Sequence, residues 1–435
     1  MSDTALNCAT SSEDFLQQAD LWSPTNYAPL PVVISRAEGV WVWDVEGNKY
    51  LDCLSAYSAT NQGHCHPRIV ETMRQQAGRC TLTSRAFQND QMGPFLEKLC
   101  NLVGYDKALP MNTGAEAVET AIKTVRKWGY KVKGVAENAA EVIVCSDNFH
   151  GRTTTIVGFS TEEQYKDGFG PFTPGFKVVR YGDLSALEAA INDNSVGFLV
   201  EPIQGEGGVI VPPDGYLSEA AQLCADNNVP FIADEIQTGL GRTGRLLCSD
   251  WDRIRPDILI LGKALGGGVY PVSAVCADDG FMGVYNPGDH GSTFGGNPLG
   301  AAVAMTALDV ILDENLAEKA EENGDWFMNE LRAIDSPHVV EVRGKGLLIG
   351  VVISDESGPA NPFCKALQKR GILAKETHEQ VIRFAPPLVI TRETLKSVLP
   401  DISSVLSGEG LATPEFKVLR IDLADFKLRL VARLV

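Results

Sequence analysis

Short apolar runs alternating with helical patterns dominate the middle of this chain, and they constrain its fold more than any other feature. Glu141–Cys145, Gly197–Val200, Val229–Ala233, Asp257–Leu261 and Val272–Cys276 read as strands. Ala115–Trp128, Leu184–Ile191 and Leu217–Asn227, which precede or separate them, read as helices. Alternation of this kind implies an α/β architecture with a mostly parallel central sheet flanked by helices. In such a sheet, ligands bind outside the carboxyl ends of the strands.

The flanks of this region read differently. Residues 40–54 alternate in polarity and turn at Glu46-Gly47-Asn48, the pattern of a β-hairpin. Ala301–Ile334 is rich in Ala, Leu and Glu and leads toward a second, smaller α+β unit. With 435 residues the chain is long enough for a large and a small domain. The expected division is an N-terminal segment over 1–61, a large domain over 62–316 and a smaller one over 317–435. Ser407–Val435 opens with Gly-Glu-Gly, then becomes basic and apolar, and fits neither domain.

Composition narrows the function classes. Apolar residues make up 44% and charged residues 22%, which argues against disorder. A net charge of −18 argues against nucleic acid as a partner, although a pocket can be locally positive on an acidic protein. No apolar run approaches the roughly 18 residues that a membrane-crossing helix needs, so no membrane span is expected. Met1–Asp20 holds no Arg or Lys and no apolar stretch, unlike a transit or signal peptide, and a cytoplasmic location is expected. The ten cysteines form no CxxC pair. Only His64-Cys65-His66 resembles metal-ligand spacing, without a second cluster to complete it, so free thiols and no metal are expected.

Two neighbouring strand candidates end in residues suited to pyridoxal phosphate. Val229–Ala233 stops at Asp234-Glu235, and Ile258–Leu261 stops at Gly262-Lys263, with Gly266 to Gly268 just beyond. An aspartate at one strand tip can pair with a protonated pyridine nitrogen, and a lysine at the next can attach covalently to the cofactor's aldehyde carbon. Each residue alone has an ordinary reading: Asp as a turn cap, Lys as a solvated loop residue. Met111–Ala117 is a third element, a small-residue turn before a helix whose free N–H groups suit a phosphate. Taken alone, Thr113 with Glu116 reads first as a capping box. The glycine-rich stretch His290–Pro298 is equally open.

Taken together, the motifs resemble the class III, or omega, aminotransferases. The residues that carry the likeness are Asn112-Thr113-Gly114, Asn148–Arg152, Glu201–Glu206, Asp234–Gly239, Gly262-Lys263 and Ser292–Pro298, within a span from about Asn26 to about Ile402. Within the family, Asn26-Tyr27, Ser55–Pro67, Arg343–Leu348 and Ile382–Leu388 resemble the ornithine branch. The resemblance implies the fold type I of pyridoxal-phosphate enzymes, its smaller domain built from the C-terminal part with the N-terminal segment. It implies that Lys263 binds the cofactor covalently and shuttles the proton, and that Asp234 holds the ring nitrogen. Gln237 would contact the ring hydroxyl. Phe149 would stack on one ring face and Ile236 cover the other. Gly114 and Ala115 would seat the phosphate, and Ser292 and Thr293 would reach the cofactor of a partner subunit in a homodimer.

The implied substrates are an amino acid and a 2-oxo acid: L-ornithine, reacting at its δ-amine, and 2-oxoglutarate. The alternatives are acetylornithine, 4-aminobutyrate, or an aminomutase reaction. Arg152 is implied as the clamp for the distant carboxylate, with Tyr57 and Tyr27 placing the α-amino end. Arg383 would bind the keto acid's carboxylate beside the reacting carbon, with Glu206 pairing it in the other half-reaction. Read without the resemblance, Tyr57 has the lesser alternative of a packed core residue, and both arginines the alternative of surface ion-pair partners. His150 and Gly207-Gly208 depart from the ornithine branch, which often carries a bulky aromatic and Ala-Gly at those positions.

Overall fold

The computed structural model describes residues 10–411, so nearly all of the Ser407–Val435 tail lies outside the described residues. Three sheets organise the chain. The first is an antiparallel meander of β1 (Ile34–Glu38), β2 (Trp41–Asp44) and β3 (Lys49–Asp52), joined in parallel by β13 (Ile372–Leu373). β2 and β3 form the hairpin expected over 40–54. Its turn is set by Gly47 at φ 89° and by Asp44, which accepts from the Asn48 backbone N–H at 2.7 Å.

The central sheet has seven strands. They are β4 (Lys107–Met111), β5 (Glu141–Cys145), β6 (Phe176–Val179), β7 (Ser195–Val200), β8 (Phe231–Asp234), β9 (Ile258–Leu261) and β10 (Ser273–Ala277). Their order is β4-β10-β9-β8-β7-β5-β6. β10 runs antiparallel to both of its neighbours, and the other six strands all run in one direction. The mostly parallel sheet read from the sequence is therefore present, with strand limits shifted by one or two residues.

Burial on both faces explains the unbroken apolar runs. Val142 and Val144 of β5 pack in one cluster with Ala117, Val118, Ala121 and Val125, on one side of the helix Gly114–Trp128. Their neighbours Ile143 and Cys145 point to the other face, against Leu217, Ala220 and Cys224 of the helix Tyr216–Asp226. Each such aliphatic side chain contributes roughly 1.5–3 kcal/mol through burial.

The third sheet comprises β11 (Val339–Lys345), β12 (Leu348–Ile353), β14 (Lys375–Thr377) and β15 (Val381–Phe384), all antiparallel. Between the second and third sheets lie two helices, Pro298–Asp313 and Leu316–Arg332, across the region read as the passage to a second unit. One core cluster joins Leu51, Ile372, Ile382 and Leu308, so the first and third sheets share a core with the long helix.

One buried cation ties these parts together. Arg242 has no solvent exposure and faces no carboxylate. It donates to Asn61 Oδ1, to Leu347 O at 2.9 Å and to Pro386 O at 2.7 Å. Burial pushes its pKa down to about 9.

Candidate active site

The tips of three adjacent parallel strands meet at one cavity of about 200 Å³. β7 delivers Glu201, β8 delivers Asp234, and Lys263 follows β9. Phe149, His150 and Gly151, from the loop after β5, supply another wall. The start of the helix Gly114–Trp128 supplies Gly114 and Ala115. Glu206, Ile236, Gln237 and Thr238 complete the lining.

The Asp234 carboxylate is held from two sides. Its Oδ1 accepts from the Ile236 backbone N–H at 3.1 Å, and its Oδ2 lies 2.6 Å from His150 Nδ1. Lys263 adopts φ 45°, a left-handed conformation that a non-glycine residue rarely takes. Burial holds its ammonium below the usual pKa, against the opposing charges of Glu206 and Asp234, so the free amine is more accessible than on an exposed lysine.

At the cavity's edge, Glu206 Oε1 accepts from Arg383 Nη1 at 2.6 Å and from Gln237 Nε2 at 3.2 Å. Burial alone would raise the Glu206 pKa, but the Arg383 and Lys263 charges outweigh it and leave the carboxyl below its ordinary range. The Arg383 guanidinium lies 5.0 Å from the centre of the Tyr57 ring. Tyr57 belongs to a turn, Ser55 to Ser58, in which all four residues have positive φ. Asp52 Oδ1 stabilises that turn by accepting from the N–H groups of Leu54 and Ser55, and Ser55 Oγ donates to Ala385 O at 2.6 Å.

Asp234, Lys263, Gly114, Ala115, Phe149, Ile236, Gln237 and Glu206 thus line one cavity, and Arg383 and Tyr57 stand behind Glu206. Arg152 is exposed at the mouth, 3.8 Å from the Tyr165 ring centre, outside the lining. Tyr27 is 74% exposed and also outside it. Ser292 accepts from Asn112 Nδ2 at 2.7 Å and Thr293 is exposed, and neither lines this chain's own cavity. Thr113 and Glu116 do form the capping box that local sequence suggested, and the same turn presents Gly114 and Ala115 to the cavity. His64 and His66 face separate carboxylates, Asp52 and Glu314, while Cys65 is exposed.

Sequence reading gave no role to Glu201 or His150, although both line the cavity. The signal for Glu201 was available: like Asp234, it is an acid at the end of a short apolar run, Gly197–Val200. Gly205 was also missed. A Cβ there would sit 1.5 Å from Gln237 Oε1, so only glycine leaves Gln237 its place.

Residues 22–406 match the family described as aminotransferase class-III. The chain belongs to this family. Among curated class-III aminotransferases, an ornithine aminotransferase from Bacillus subtilis is 56% identical over 401 residues, covering 92% of this chain and 99% of that protein. A solved ornithine aminotransferase from Toxoplasma gondii, described as holding pyridoxal phosphate at partial occupancy in its active site, superposes with a TM-score of 0.90 at 49% identity. That alignment covers 91% of this chain and 94% of the other. An acetylornithine aminotransferase from Elizabethkingia anophelis gives 0.84 at 50% identity, over 92% and 99% of the two chains.

The cavity fits pyridoxal phosphate, the cofactor of class-III aminotransferases. Gln237 Oε1 and His150 Nε2 are buried without a partner, as polar atoms beside a polar ring ligand would be. Gly114 and Ala115 open a helix whose first N–H groups suit a dianion. A Cβ on Gly114 would come within 3.0 Å of Ile236, so the missing side chain keeps that approach open.

Proposed function

We propose that this class-III aminotransferase transfers the δ-amino group of L-ornithine to 2-oxoglutarate, giving glutamate 5-semialdehyde and L-glutamate by a ping-pong reaction. The observation that carries the reading is the Glu206–Arg383 pair at 2.6 Å beside the Lys263 cavity. Ornithine presents only hydrogens beside its reacting carbon, whereas 2-oxoglutarate presents a carboxylate there. A paired Arg383 suits the first substrate, and an Arg383 released by Glu206 suits the second. One site thereby handles both.

Bound pyridoxal phosphate supplies the electron sink for charge that develops on the substrate carbon. Lys263 Nζ, kept low in pKa by burial, would hold the cofactor and would take up and return a proton at the substrate carbon. Asp234 and Gln237 would orient the ring, Phe149 and Ile236 would border it, and Gly114 and Ala115 would hold the phosphate. Arg152 and Tyr27, both exposed, are suited to the far, charged end of ornithine together with Tyr57.

A homodimer is part of this reading. The helix Ser12–Trp22 buries none of its residues, and Trp22 and Phe294 are exposed at 81% and 47%. Ser292 and Thr293, absent from their own cavity's lining, are then free to serve the neighbouring one. No helix among the described residues is long and apolar enough to cross a membrane. The nine cysteines of the described residues are free thiols, which suits the cytoplasm.

A second reading, acetylornithine as donor, is favoured by the 50% identity to the Elizabethkingia anophelis enzyme. Steady-state assays of the purified protein with ornithine, N-acetylornithine and 4-aminobutyrate separate the two. The expected result is the highest kcat/KM for ornithine, and a much higher value for either rival overturns the substrate assignment. Turnover without an added keto acid would instead mark an aminomutase.

A further inference from the structure

His150 is a histidine with no solvent exposure to its side chain, and the reaction as described gives it nothing to do. Its Nδ1 lies 2.6 Å from Asp234 Oδ2. Its Nε2 is buried with no hydrogen-bond partner. One ring neighbour is Phe159, with centroids 6.0 Å apart and planes at 56°. The adjoining peptide is tied down as well, because the Phe149 N–H donates to Glu201 Oε2 at 2.9 Å. The loop after β5 is therefore stitched to two strand tips, to β7 through Glu201 and to β8 through Asp234. All four residues border the same cavity.

Resting on the assignment of this cavity to pyridoxal phosphate, we propose that His150 is a positioning residue. Its Nδ1–H fixes the Asp234 carboxylate toward the ring nitrogen of the bound cofactor, and Glu201 backs it. With Ile236 N–H on Oδ1 and His150 on Oδ2, the carboxylate cannot rotate without breaking a charge-assisted hydrogen bond. A phenylalanine at this position could fill the space but could not donate to Asp234.

The electrostatics agree with this arrangement. Burial opposes charge on the imidazole, yet the hydrogen bond and charge of Asp234 outweigh it and raise the His150 pKa. Glu201, fully enclosed, is pushed up to about 7 by burial. The charged groups that act on these two are Asp234 at the β8 tip and Lys263 after β9.

The test uses full-length apoprotein reconstituted with pyridoxal phosphate, as wild type, His150→Phe and His150→Asn. Phe keeps a ring without the donor, whereas Asn places an amide N–H near the position of Nδ1. Two quantities are read: the dissociation constant of the cofactor, and the pH midpoint of the bound cofactor's absorbance change. His150→Phe should weaken binding by about 10-fold or more, the worth of a hydrogen bond to a charged group. Its midpoint should move by about one pH unit, as the loss of a neighbouring charge would cause. His150→Asn should recover affinity to within about 3-fold of wild type, because the donor is restored.

Wild-type behaviour in His150→Phe overturns the proposal, as does a His150→Asn variant no better than Phe, which would assign the effect to packing. Wild-type protein that binds no cofactor would instead overturn the functional reading itself, and this inference with it. A readout free of mutation is the wild-type spectrum with histidine-selective 15N labelling. A slowly exchanging, downfield Nδ1–H proton supports the hydrogen bond, and its absence refutes it.

Discussion

Glu206 Oε1 receives hydrogen bonds from both Arg383 Nη1, at 2.6 Å, and Gln237 Nε2, at 3.2 Å. One carboxylate oxygen therefore links the candidate keto-acid cation to the candidate ring-hydroxyl contact. Thr377 Oγ1 anchors the same residue's backbone by donating to Glu206 O at 2.5 Å. The backbone is thereby held independently of the side chain's own hydrogen bonds.

Neutralising this switch should change which amine reacts. In Glu206→Gln, Arg383 keeps its charge without a carboxylate partner and stays available to the carboxylate of an α-amino acid. The ratio of kcat/KM for glutamate to that for ornithine should rise about 10-fold or more, in line with the worth of a hydrogen bond to a charged group. Stopped-flow half-reactions with each amine check this. An unchanged ratio would remove Glu206 from substrate choice.

The Gly205 position sets Gln237. In Gly205→Ala the new Cβ would stand 1.5 Å from Gln237 Oε1, so Gln237 must leave and Glu206 loses one of its two donors. The strain should cost roughly 1–3 kcal/mol of stability. Cofactor affinity should fall as well, measured by reconstitution of apoprotein alongside urea unfolding.

Removing the amine at 263 should separate chemistry from folding. Lys263→Ala should abolish the absorbance band that the wild-type protein shows with bound cofactor, while circular dichroism stays unchanged. A variant that retained the band would place covalent attachment on another lysine.

Glu201 should leave a mark on stability as a function of pH. Its folded pKa of about 7 lies above the ordinary carboxyl value of 4.5, so the folded state holds a proton that the unfolded state has released. This contribution is fully present below pH 4.5 and is lost as pH rises to about 7. Relative to Glu201→Gln, wild-type apoprotein should lose on the order of 3 kcal/mol between pH 5 and pH 8, since one pKa unit corresponds to 1.36 kcal/mol. Urea unfolding at the two pH values measures the difference.

The buried guanidinium of Arg242 should be a structural keystone. Arg242→Met leaves Asn61 Oδ1, Leu347 O and Pro386 O without their donor. The expected loss is roughly 1–3 kcal/mol for each buried acceptor left unpaired. Lysine should not rescue it, because one ammonium cannot reproduce the planar fork that reaches all three.

What could be read in advance follows the range of the interactions. Asp234 and Lys263 were legible because apolar runs end sharply at each of them, and adjacent parallel strands bring such ends together. The Thr113–Glu116 box was legible because it closes over three residues. The Ser55–Ser58 turn was not, since four non-glycine residues with positive φ are held by Asp52 and by Ala385, a residue from the far end of the chain. Nor was Arg242, whose partners come from the N-terminal segment and from two C-terminal loops. The Glu206–Arg383 pair spans 177 positions, and only a likeness to a known family could suggest it before the fold brought the two together.

The central claim is that one cavity accepts an ω-amine and then a 2-oxo acid at the same cofactor. Absorbance of the purified, cofactor-loaded protein tests it most directly, recorded first with L-ornithine alone and then after 2-oxoglutarate. The expected result is loss of the bound cofactor's initial band with ornithine and its return with the keto acid. A band that ornithine leaves untouched, or one that 2-oxoglutarate fails to restore, would contradict it.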